Sequence, residues 1–294
     1  MTPIQFPGLG IEVTINPVAF SIFGKDVYWY GIIIACGFLM AVAFCSRQSP
    51  KLGIKQDDIL DMLFFAVPMA LVGARLYYVI FYQDLYRDAN GAFQWSKAIA
   101  IWDGGIAIYG GIIASVLTGA VFCKVKKISF WAMADTASYG LLIGQLVGRW
   151  GNFVNQEAYG GPCTALWRMG LTKGGSYIEV HPTFLYESLW NLAGLAVLYF
   201  IVRPRRKFDG ELFLSYVLWY GLGRVWIEGM RTDSLYLFHT GIRVSQGLAG
   251  ISAIAALTAI LFRLRRQKHT PRPLYVETVN TDQAEQQEQT QEKE

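Results

Sequence analysis

The sequence predicts an all-α polytopic integral membrane protein with seven transmembrane helices and a small extracytoplasmic head between helices 4 and 5. Two observations support this fold class. Hydrophobic residues make up 53% of the chain and charged residues only 16%, whereas soluble domains usually contain about a quarter charged residues. The apolar residues also fall in runs that approach the roughly 20 helical residues needed to cross a bilayer. The predicted spans are residues 27–46, 58–82, 104–123, 130–149, 183–202, 210–231 and 243–263.

The chain divides into three predicted regions. Residues 1–26 contain several prolines and glycines, and they predict a short non-helical extracytoplasmic segment. Residues 27–263 form the predicted seven-helix transmembrane domain, and residues 264–294 form a cytoplasmic tail. From about residue 273 the tail is rich in Glu, Gln and Thr and has no core-forming pattern. We therefore expect the tail to be disordered.

The Lys and Arg residues in the connections predict the orientation. Fifteen of them fall in the connections after the first, third and fifth spans and at the start of the tail, against eight in the other connections. Because cytoplasmic connections carry an excess of positive charge, we place the N-terminus outside and the C-terminus in the cytoplasm. The basic residues separate apolar runs and form no patch interleaved with aromatic residues, so no nucleic-acid partner is expected.

The densest group of polar residues follows the fourth span, at residues 148–160. Arg149 offers five donors in a fixed geometry that suits a phosphodiester, and Asn152 and Glu157 add further polar groups. A charged residue at membrane depth costs roughly 2.5–3.5 kcal/mol on insertion scales, which favours a function for Arg149. The alternative is that Arg149 extends to the lipid headgroups and the nearby glycines shape a turn. The spacing alone leaves both open.

A polar stripe follows one face of the sixth span. Tyr220, Arg224, Glu228 and Arg231 lie within about 80° of one another on a helix, so they must face protein or water. Arg224 is interpreted as an anion or substrate ligand, with a buried Arg–Glu pair between helices as the alternative. Glu228 is interpreted as an arginine partner rather than an acid–base group.

Other candidates give weaker signals. Tyr109 lies between two glycine pairs, which is usual for packing or an interfacial aromatic residue. It is predicted near the same outer depth as Arg149, so its hydroxyl group could reach a site. Tyr30 is interpreted first as part of an interfacial aromatic belt. His181, at the start of the fifth span, is interpreted as a structural hydrogen-bonding residue rather than a base. The repeat of Gly140, Gly144 and Gly148 at every fourth residue predicts close helix packing of the fourth span.

Together these motifs resemble the bacterial prolipoprotein diacylglyceryl transferases. Residues 148–160 match the signature of that family at every defined position. The resemblance covers all seven predicted spans and leaves only the tail outside it. Further matching motifs occur in family order, namely Tyr30-Gly31, the glycine pairs around Tyr109, His181-Pro182 with Leu185-Tyr186-Glu187, and Tyr220 with Arg224.

The resemblance implies a specific reaction. Family members transfer diacylglyceryl from phosphatidylglycerol to the lipobox cysteine of an exported precursor, giving a thioether and glycerol phosphate. It implies phosphatidylglycerol and prolipoprotein signal peptides as partners, the lipid bilayer of the bacterial cell membrane as the location, and neither a cofactor nor a metal ion. We expect the chain to act as a monomer.

The resemblance also assigns residues. By the family match, Arg149 binds phosphatidylglycerol and Arg224 is a second essential arginine. The catalytic candidates are Arg149, Arg224, Tyr109, Tyr220 and Glu157. The substrate-binding candidates are Arg149, Asn152, Gly160, Tyr30 and Glu228.

Two positions depart from the family pattern. Many members have histidine where this chain has Tyr109, and that histidine has been proposed as the base for the thiol. A tyrosine hydroxyl group is a poor base at neutral pH, so we expect Tyr109 to donate a hydrogen bond and the thiol to ionise beside the arginines. Phe184 replaces a common glutamine. A lipid or anion transporter remains the main alternative function, although it would be expected to show an internal repeat; a non-catalytic assembly factor is a third.

Overall fold

The computed structural model of the chain describes residues 3–88, 90–232, 236 and 243–291. Its helices, in chain order, are α1 (Trp29–Gln48), α2 (Gln56–Phe81), α3 (Trp95–Ile99), α4 (Ile108–Lys126), α5 (Phe130–Asn155), α6 (Thr183–Ala196), α7 (Glu211–Glu228), α8 (Val244–His269) and α9 (Tyr275–Gln291). A π-helical turn, Val197–Val202, continues α6. A long helix covers each of the seven predicted segments, with ends shifted by up to six residues.

Five helical segments are long and apolar enough to cross a membrane: Trp29–Leu52, Gln56–Phe81, Ile108–Lys126, Thr183–Arg205 and Val244–His269. The segments α5 and α7 are not among them. Both are more polar, since α5 carries Asp135 and Arg149 and α7 carries Glu211, Arg224 and Glu228. The five apolar helices agree with the predicted membrane class. That all seven segments cross the bilayer stays a prediction.

The helix α5 lies at the centre of the bundle, where it packs against α1, α6 and α7. A Cβ atom added to Gly140 would lie 3.0 Å from Cys45 Sγ, and one added to Gly148 would lie 3.4 Å from Ile34 Cδ1. Both neighbours belong to α1, so these glycines do allow close helix packing. Gly144 has no neighbour within 4 Å of that position, so the expected packing role is wrong there.

A buried carboxylate on α5 aligns α5 with α7. Asp135 Oδ2 accepts a hydrogen bond from Gly210 N at 2.8 Å, and Oδ1 accepts one from Phe213 N at 2.9 Å. The free N–H groups at the start of α7 are thereby satisfied. Both helices run in the same direction from this point, and Arg149 and Arg224 each lie 14 residues further along. At 1.5 Å per residue, both arginines are about 21 Å from the Asp135 anchor and therefore at the same level.

The chain is not all-α, because six short strands form two small sheets. A four-stranded antiparallel sheet has the order β2-β1-β5-β6, and β3 and β4 form a hairpin before α1. Ile4 and Leu171 from this sheet pack on Phe184 of α6. The strands are only three to five residues long, and the pairing of Gln5 with Gly170 joins distant parts of the sequence, so sequence periodicity did not reveal them. The strands are β1 (Ile4–Phe6), β2 (Ile11–Val13), β3 (Val18–Ile22), β4 (Lys25–Tyr28), β5 (Met169–Lys173) and β6 (Ser176–Val180).

The C-terminal tail also differs from the expected disorder. The helix α9 covers most of it, and the last three residues lie outside the described part of the chain. Tyr275 packs on the main apolar core, and its backbone N–H donates to Asp209 Oδ2 at 2.9 Å. Glu277 accepts from Leu274 N at 2.8 Å, which caps the helix start. The polar composition of the tail did not reveal these contacts at its first turn.

Candidate active site

Glu187, on the second turn of α6, lies at the centre of a cluster of arginine side chains. Its carboxylate is 4% exposed, and Arg149 Nη2 lies 2.5 Å from its Oε2. Arg224 Nη1 lies 3.2 Å from Oε1, and Arg231 Nη1 lies 3.8 Å from the same oxygen. One buried carboxylate therefore brings together three guanidinium groups, one from α5 and two from α7 and its C-terminal end. We call Glu187 and these three arginines the arginine cluster.

A second carboxylate, that of Glu228, lies beside the cluster on α7. Glu228 pairs with Arg224 one turn earlier on the same helix, and Arg243 donates to the backbone carbonyl oxygen of Glu228. The interpretation of Glu228 as an arginine partner is confirmed. A buried charge that loses its partner costs about 3–5 kcal/mol, which explains why these groups are paired. Three guanidinium groups face the carboxylates of Glu187 and Glu228, so the cluster has an excess of positive charge.

The last turn of α5 extends the cluster through hydrogen bonds. Arg149 Nη1 lies 3.5 Å from Asn152 Oδ1, and Asn152 Nδ2 donates to Glu157 Oε1 at 2.9 Å. The helix ends at Gln156, whose φ of 52° is left-handed. That turn directs the chain back, so that Glu157 N donates to Asn152 O at 3.0 Å. The structure thus joins three residues of the sequence signature, Arg149, Asn152 and Glu157, in one chain of contacts.

The two tyrosine candidates on α1 and α7 lie beside this group. The ring of Tyr30, at the start of α1, lies against Gly151 of α5. Tyr220 is one turn before Arg224 on α7, and its ring stacks on that of Tyr216 with 5.9 Å between centroids. Tyr216 in turn accepts a hydrogen bond from Gln145 of α5 at 2.9 Å. Tyr30 therefore links α1 to α5, and Tyr220 links α7 to α5 through Tyr216.

Gly160 lies in a junction of three backbone segments rather than in open space. Its N–H donates to the carbonyl oxygen of His181 at 3.0 Å, and it forms a β-bridge with Arg231. A Cβ atom at this position would lie 2.7 Å from His181 Cβ and 3.1 Å from Met230 O. This close approach requires glycine. Through it, the loop after α5 fixes the ends of α6 and α7 on which Glu187 and Arg231 depend.

Tyr109 is the sequence candidate that the structure does not join to the cluster. It is the second residue of α4, and 41% of it is exposed. Within the described ranges, its hydroxyl group makes no hydrogen bond to Arg149 or Arg224. The adjacent Gly110 packs against α2, where a Cβ atom would lie 2.2 Å from Gly73 O. Helix packing thus accounts for one of the glycines beside Tyr109.

The arrangement of the arginine cluster fits the binding of a phosphate-bearing group. Guanidinium groups bind phosphate oxygens through paired, charge-assisted hydrogen bonds. In the part of the chain that the structure describes, no three His, Cys, Asp or Glu side chains are grouped closely enough to hold a metal ion. The groups that this site offers are guanidinium, carboxylate, amide and phenol.

Comparison with known proteins gives the family. A sequence profile described as prolipoprotein diacylglyceryl transferase matches residues 17–262. The chain belongs to this family. A relative from Bacillus velezensis, named phosphatidylglycerol–prolipoprotein diacylglyceryl transferase, is 44% identical over 257 residues, covering 85% of this chain and 92% of the relative. Relatives with the same name come from Oceanobacillus iheyensis, at 44% identity with coverage of 85% and 88%, and from Listeria innocua, at 43% identity with coverage of 92% and 96%.

Glu187 is the residue of the arginine cluster that the sequence candidates did not include. It lies in the motif that carried the resemblance, and it is a carboxylate within an apolar segment that needs a cationic partner. That signal was present in the sequence. The partners were not evident, because Arg149 lies on α5 and Arg224 on α7.

The start of α6 contains a second hydrogen-bond network beside the arginine cluster. His181 Nδ1 lies 3.1 Å from Tyr186 Oη, and Trp167 Nε1 donates to the same hydroxyl group at 2.7 Å. The backbone N–H of His181 also donates to Gly161 O at 3.0 Å. These contacts agree with the interpretation of His181 as a structural hydrogen-bonding residue. They fix the entry to α6, which carries Glu187.

A buried arginine on α2 of this transferase family member fixes the segment that precedes α4. Arg75 Nε donates to Ala98 O at 2.9 Å and Nη2 donates to Lys97 O at 2.6 Å. Its Nη1 donates to Gly105 O at 2.8 Å and also to Gly104 O. One guanidinium group therefore donates to four backbone carbonyl groups, two within α3 and two just before α4. We call this arrangement the Arg75 clasp.

Proposed function

We propose that this chain transfers the diacylglyceryl group of phosphatidylglycerol to the thiol of the lipobox cysteine in prolipoproteins. Membership of the prolipoprotein diacylglyceryl transferase family supports the reaction. One observation assigns the reaction to particular residues: Arg149 and Arg224 form ion pairs with the two carboxylate oxygens of Glu187. Phosphatidylglycerol presents a phosphodiester, which these two guanidinium groups are suited to bind.

The proposed reaction forms one carbon–sulfur bond and breaks one carbon–oxygen bond. The cysteine thiolate attacks the glyceryl carbon that carries the phosphate. The phosphate leaves with the other glycerol as glycerol phosphate, and the diacylglyceryl group becomes a thioether on the precursor. The thiol proton balances the charge of the new phosphate monoester. No electron acceptor or donor is required.

The arginines act on the leaving group. As the carbon–oxygen bond breaks, the phosphate changes from a monoanion toward a dianion. Donors placed where charge develops stabilise the transition state more than the ground state. Arg149 binds the phosphodiester in this proposal, and Arg224 stabilises the growing charge. Glu187 and Glu228 hold both guanidinium groups in position before the lipid arrives.

The thiol is activated by the positive charge of the cluster in this proposal. A neighbouring cation lowers the pKa of a cysteine thiol, so the acceptor can ionise beside Arg149 and Arg224 without a dedicated base. Tyr109 contributes a hydrogen bond to a substrate rather than accepting the proton. Its exposed position at the start of α4 supports contact with a substrate more than contact with the arginines.

The remaining candidates position substrate or arginine groups. Asn152 and Glu157 orient Arg149 and contribute polar contacts to the lipid headgroup. Tyr220 lies one turn from Arg224 and extends the same face of α7 toward the substrate. Tyr30 and Gly160 shape the walls of the site rather than take part in bond changes.

We further propose that all seven long helices cross the bacterial cell membrane in a monomer with three regions, residues 1–26, 27–263 and 264–294. The polar helices α5 and α7 are shielded because the apolar helices surround them. The excess of Lys and Arg in one set of connections supports an outside N-terminus and a cytoplasmic C-terminus. The arginine cluster then lies near the outer face, where exported precursors arrive.

A transfer assay tests the function. Purified full-length protein is incubated with phosphatidylglycerol and a lipobox peptide, and the peptide is analysed by mass spectrometry. We expect a mass increase of one diacylglyceryl group, and no increase for a peptide whose cysteine is replaced by serine. An unmodified cysteine peptide, under conditions in which a relative modifies it, would refute the proposed reaction.

A further inference from the structure

A second cationic region lies at the end of the bundle opposite the arginine cluster, around the turn between α8 and α9. Trp131, at the start of α5, lines this region. Eighteen residues of α5 separate Trp131 from Arg149, which corresponds to about 27 Å of helix. That distance approaches the thickness of the hydrocarbon core. The region therefore belongs to the other membrane interface and is separate from the transfer site.

Two adjacent cavities form this region. Their volumes are about 280 Å³ and 270 Å³, and they share Gln267 and Arg272 as lining residues. Among the described residues, two carboxylates line them, Asp209 and Glu277. The cationic lining residues are Arg206, Lys207, Arg263, Arg266, Lys268 and Arg272.

Two of these cations contact other protein groups. Arg263 lies over the ring of Trp131 at 4.0 Å, and its Nη1 donates to Asp209 O at 2.9 Å. The side chain of Arg206 is only 5% exposed, and its Nη1 lies 3.7 Å from Asp135 and 3.8 Å from Asp209 without a hydrogen bond. These distances are too long for hydrogen bonds. Arg206 Nη1 is therefore a buried donor without a hydrogen-bond partner in the described part of the chain.

The other four cations are not held in ion pairs within the described ranges. Within residues 3–88, 90–232 and 243–291, the side chains of Lys207, Arg266, Lys268 and Arg272 take part in no ion pair. Cations grouped around one cavity repel one another, and an anion between them relieves that repulsion. The excess of cations over carboxylates thus favours an anionic ligand.

The cavity walls are fixed by backbone contacts. Asp209 Oδ2 accepts from Tyr275 N at 2.9 Å, which joins the start of α9 to the loop before α7. Gln267 Nε2 donates to Arg272 O at 2.6 Å, which closes the turn after α8. These contacts hold cations from two separate parts of the chain around the same space.

We propose that this region binds the phosphate headgroup of an anionic phospholipid, with Lys268 and Arg272 as its outer ligands. A lipid fits better than a free phosphate because α8 presents exposed apolar side chains just before the cavity. Leu261 is 52% exposed and Phe262 is 65% exposed. Acyl chains lie along this face while the headgroup enters the cavity. In the proposed orientation, the lipid belongs to the cytoplasmic leaflet, where basic pockets bind anionic headgroups.

Binding of dioleoyl phosphatidic acid to the purified full-length protein tests this site, with bound lipid counted by native mass spectrometry. The test variant is Lys268→Gln with Arg272→Gln. The matched control is Lys124→Gln with Arg265→Gln, which removes the same charge at the same end of the bundle from residues that line neither cavity. The arginine cluster is intact in both variants, so lipid bound there cancels in the comparison.

We expect the affinity for phosphatidic acid to fall about tenfold in the test variant and less than about twofold in the control. Equal losses in the two variants would mean that surface charge alone attracts the lipid, and the site would be refuted. Displacement of the lipid by an equal concentration of inorganic phosphate would assign the cavity to a free anion instead. If the test variant does not fold, Lys207→Gln serves in its place. The readout is binding, so its failure leaves the proposed transfer reaction untouched.

Discussion

The ring of Tyr30 occupies the space in which a side chain at position 151 would begin. A Cβ atom built on Gly151 would lie 2.6 Å from Tyr30 Cδ2 and 2.9 Å from Cε2. Tyr30 is the second residue of α1, and Gly151 lies two residues after Arg149 on α5. The glycine of the signature is therefore needed for the approach of the tyrosine.

Replacing Gly151 by alanine is expected to displace the Tyr30 ring and to lower transfer by about tenfold to a hundredfold. Overpacking at this contact should also destabilise the protein by about 1–3 kcal/mol. Transfer rate and melting temperature check the two effects. The control is Gly144→Ala on the same helix, where nothing lies within 4 Å. Equal behaviour of the two variants would contradict the role of the Tyr30 contact.

Replacing Arg149 by alanine is expected to lower transfer by at least about a hundredfold, with little change in melting temperature. The fold survives because Glu187 keeps Arg224 and Arg231 as partners. Arg149→Lys should restore only a small part of the activity, since an ammonium group lacks the planar fork of donors. Transfer is measured at equal membrane levels of protein. Normal turnover by the alanine variant would remove Arg149 from the mechanism.

Replacing Glu187 by glutamine is expected to destabilise the protein by about 3–5 kcal/mol, because it leaves the guanidinium groups of the cluster without their shared counter-charge. Thermal unfolding in detergent measures this. Glu179→Gln is the control, since Glu179 pairs with Arg168 at 2.6 Å and its side chain is 35% exposed, against 4% for Glu187. Exposed pairs contribute only about 0–1 kcal/mol. A similar shift in both variants would show that Glu187 does not organise the cluster.

Replacing Tyr109 by phenylalanine is expected to leave most of the transfer activity. Loss of a general acid or base usually costs about a hundredfold or more, and the structure gives Tyr109 no contact with the arginines. The rate of transfer to a lipobox peptide measures how much activity the variant keeps. A loss of that size in a folded variant would make the hydroxyl group part of the mechanism.

The sequence predicted the parts of the fold that depend on local composition. Apolar runs located the seven helices that cover the predicted spans, whereas α9, in a polar tail that was expected to be disordered, was not predicted. The helix ends were less accurate: α5 continues to Asn155 rather than stopping at residue 149. Hydropathy falls at Arg149, whereas backbone hydrogen bonding continues until the left-handed residue Gln156.

Sequence patterns did not predict the pairing of strands that lie far apart in the chain. The strand β1 pairs with β2 and with β5, and the second partner lies more than 160 residues away. Three-residue strands show too little alternation to be recognised. The same limit applies to the site. Arg149 and Arg224 were identified separately, but their meeting on Glu187 depends on how three helices pack.

The Arg75 clasp fixes both ends of the connection between α3 and α4, whatever residues lie between them. One guanidinium binds carbonyl groups of Lys97, Ala98, Gly104 and Gly105, so the two ends of the connection are fixed by a residue on α2. The intervening residues are outside that constraint, and Trp102 among them is 81% exposed. Related chains can therefore vary the tip of this connection in sequence and length while the start of α4, and with it position 109, stays at the same place relative to the bundle.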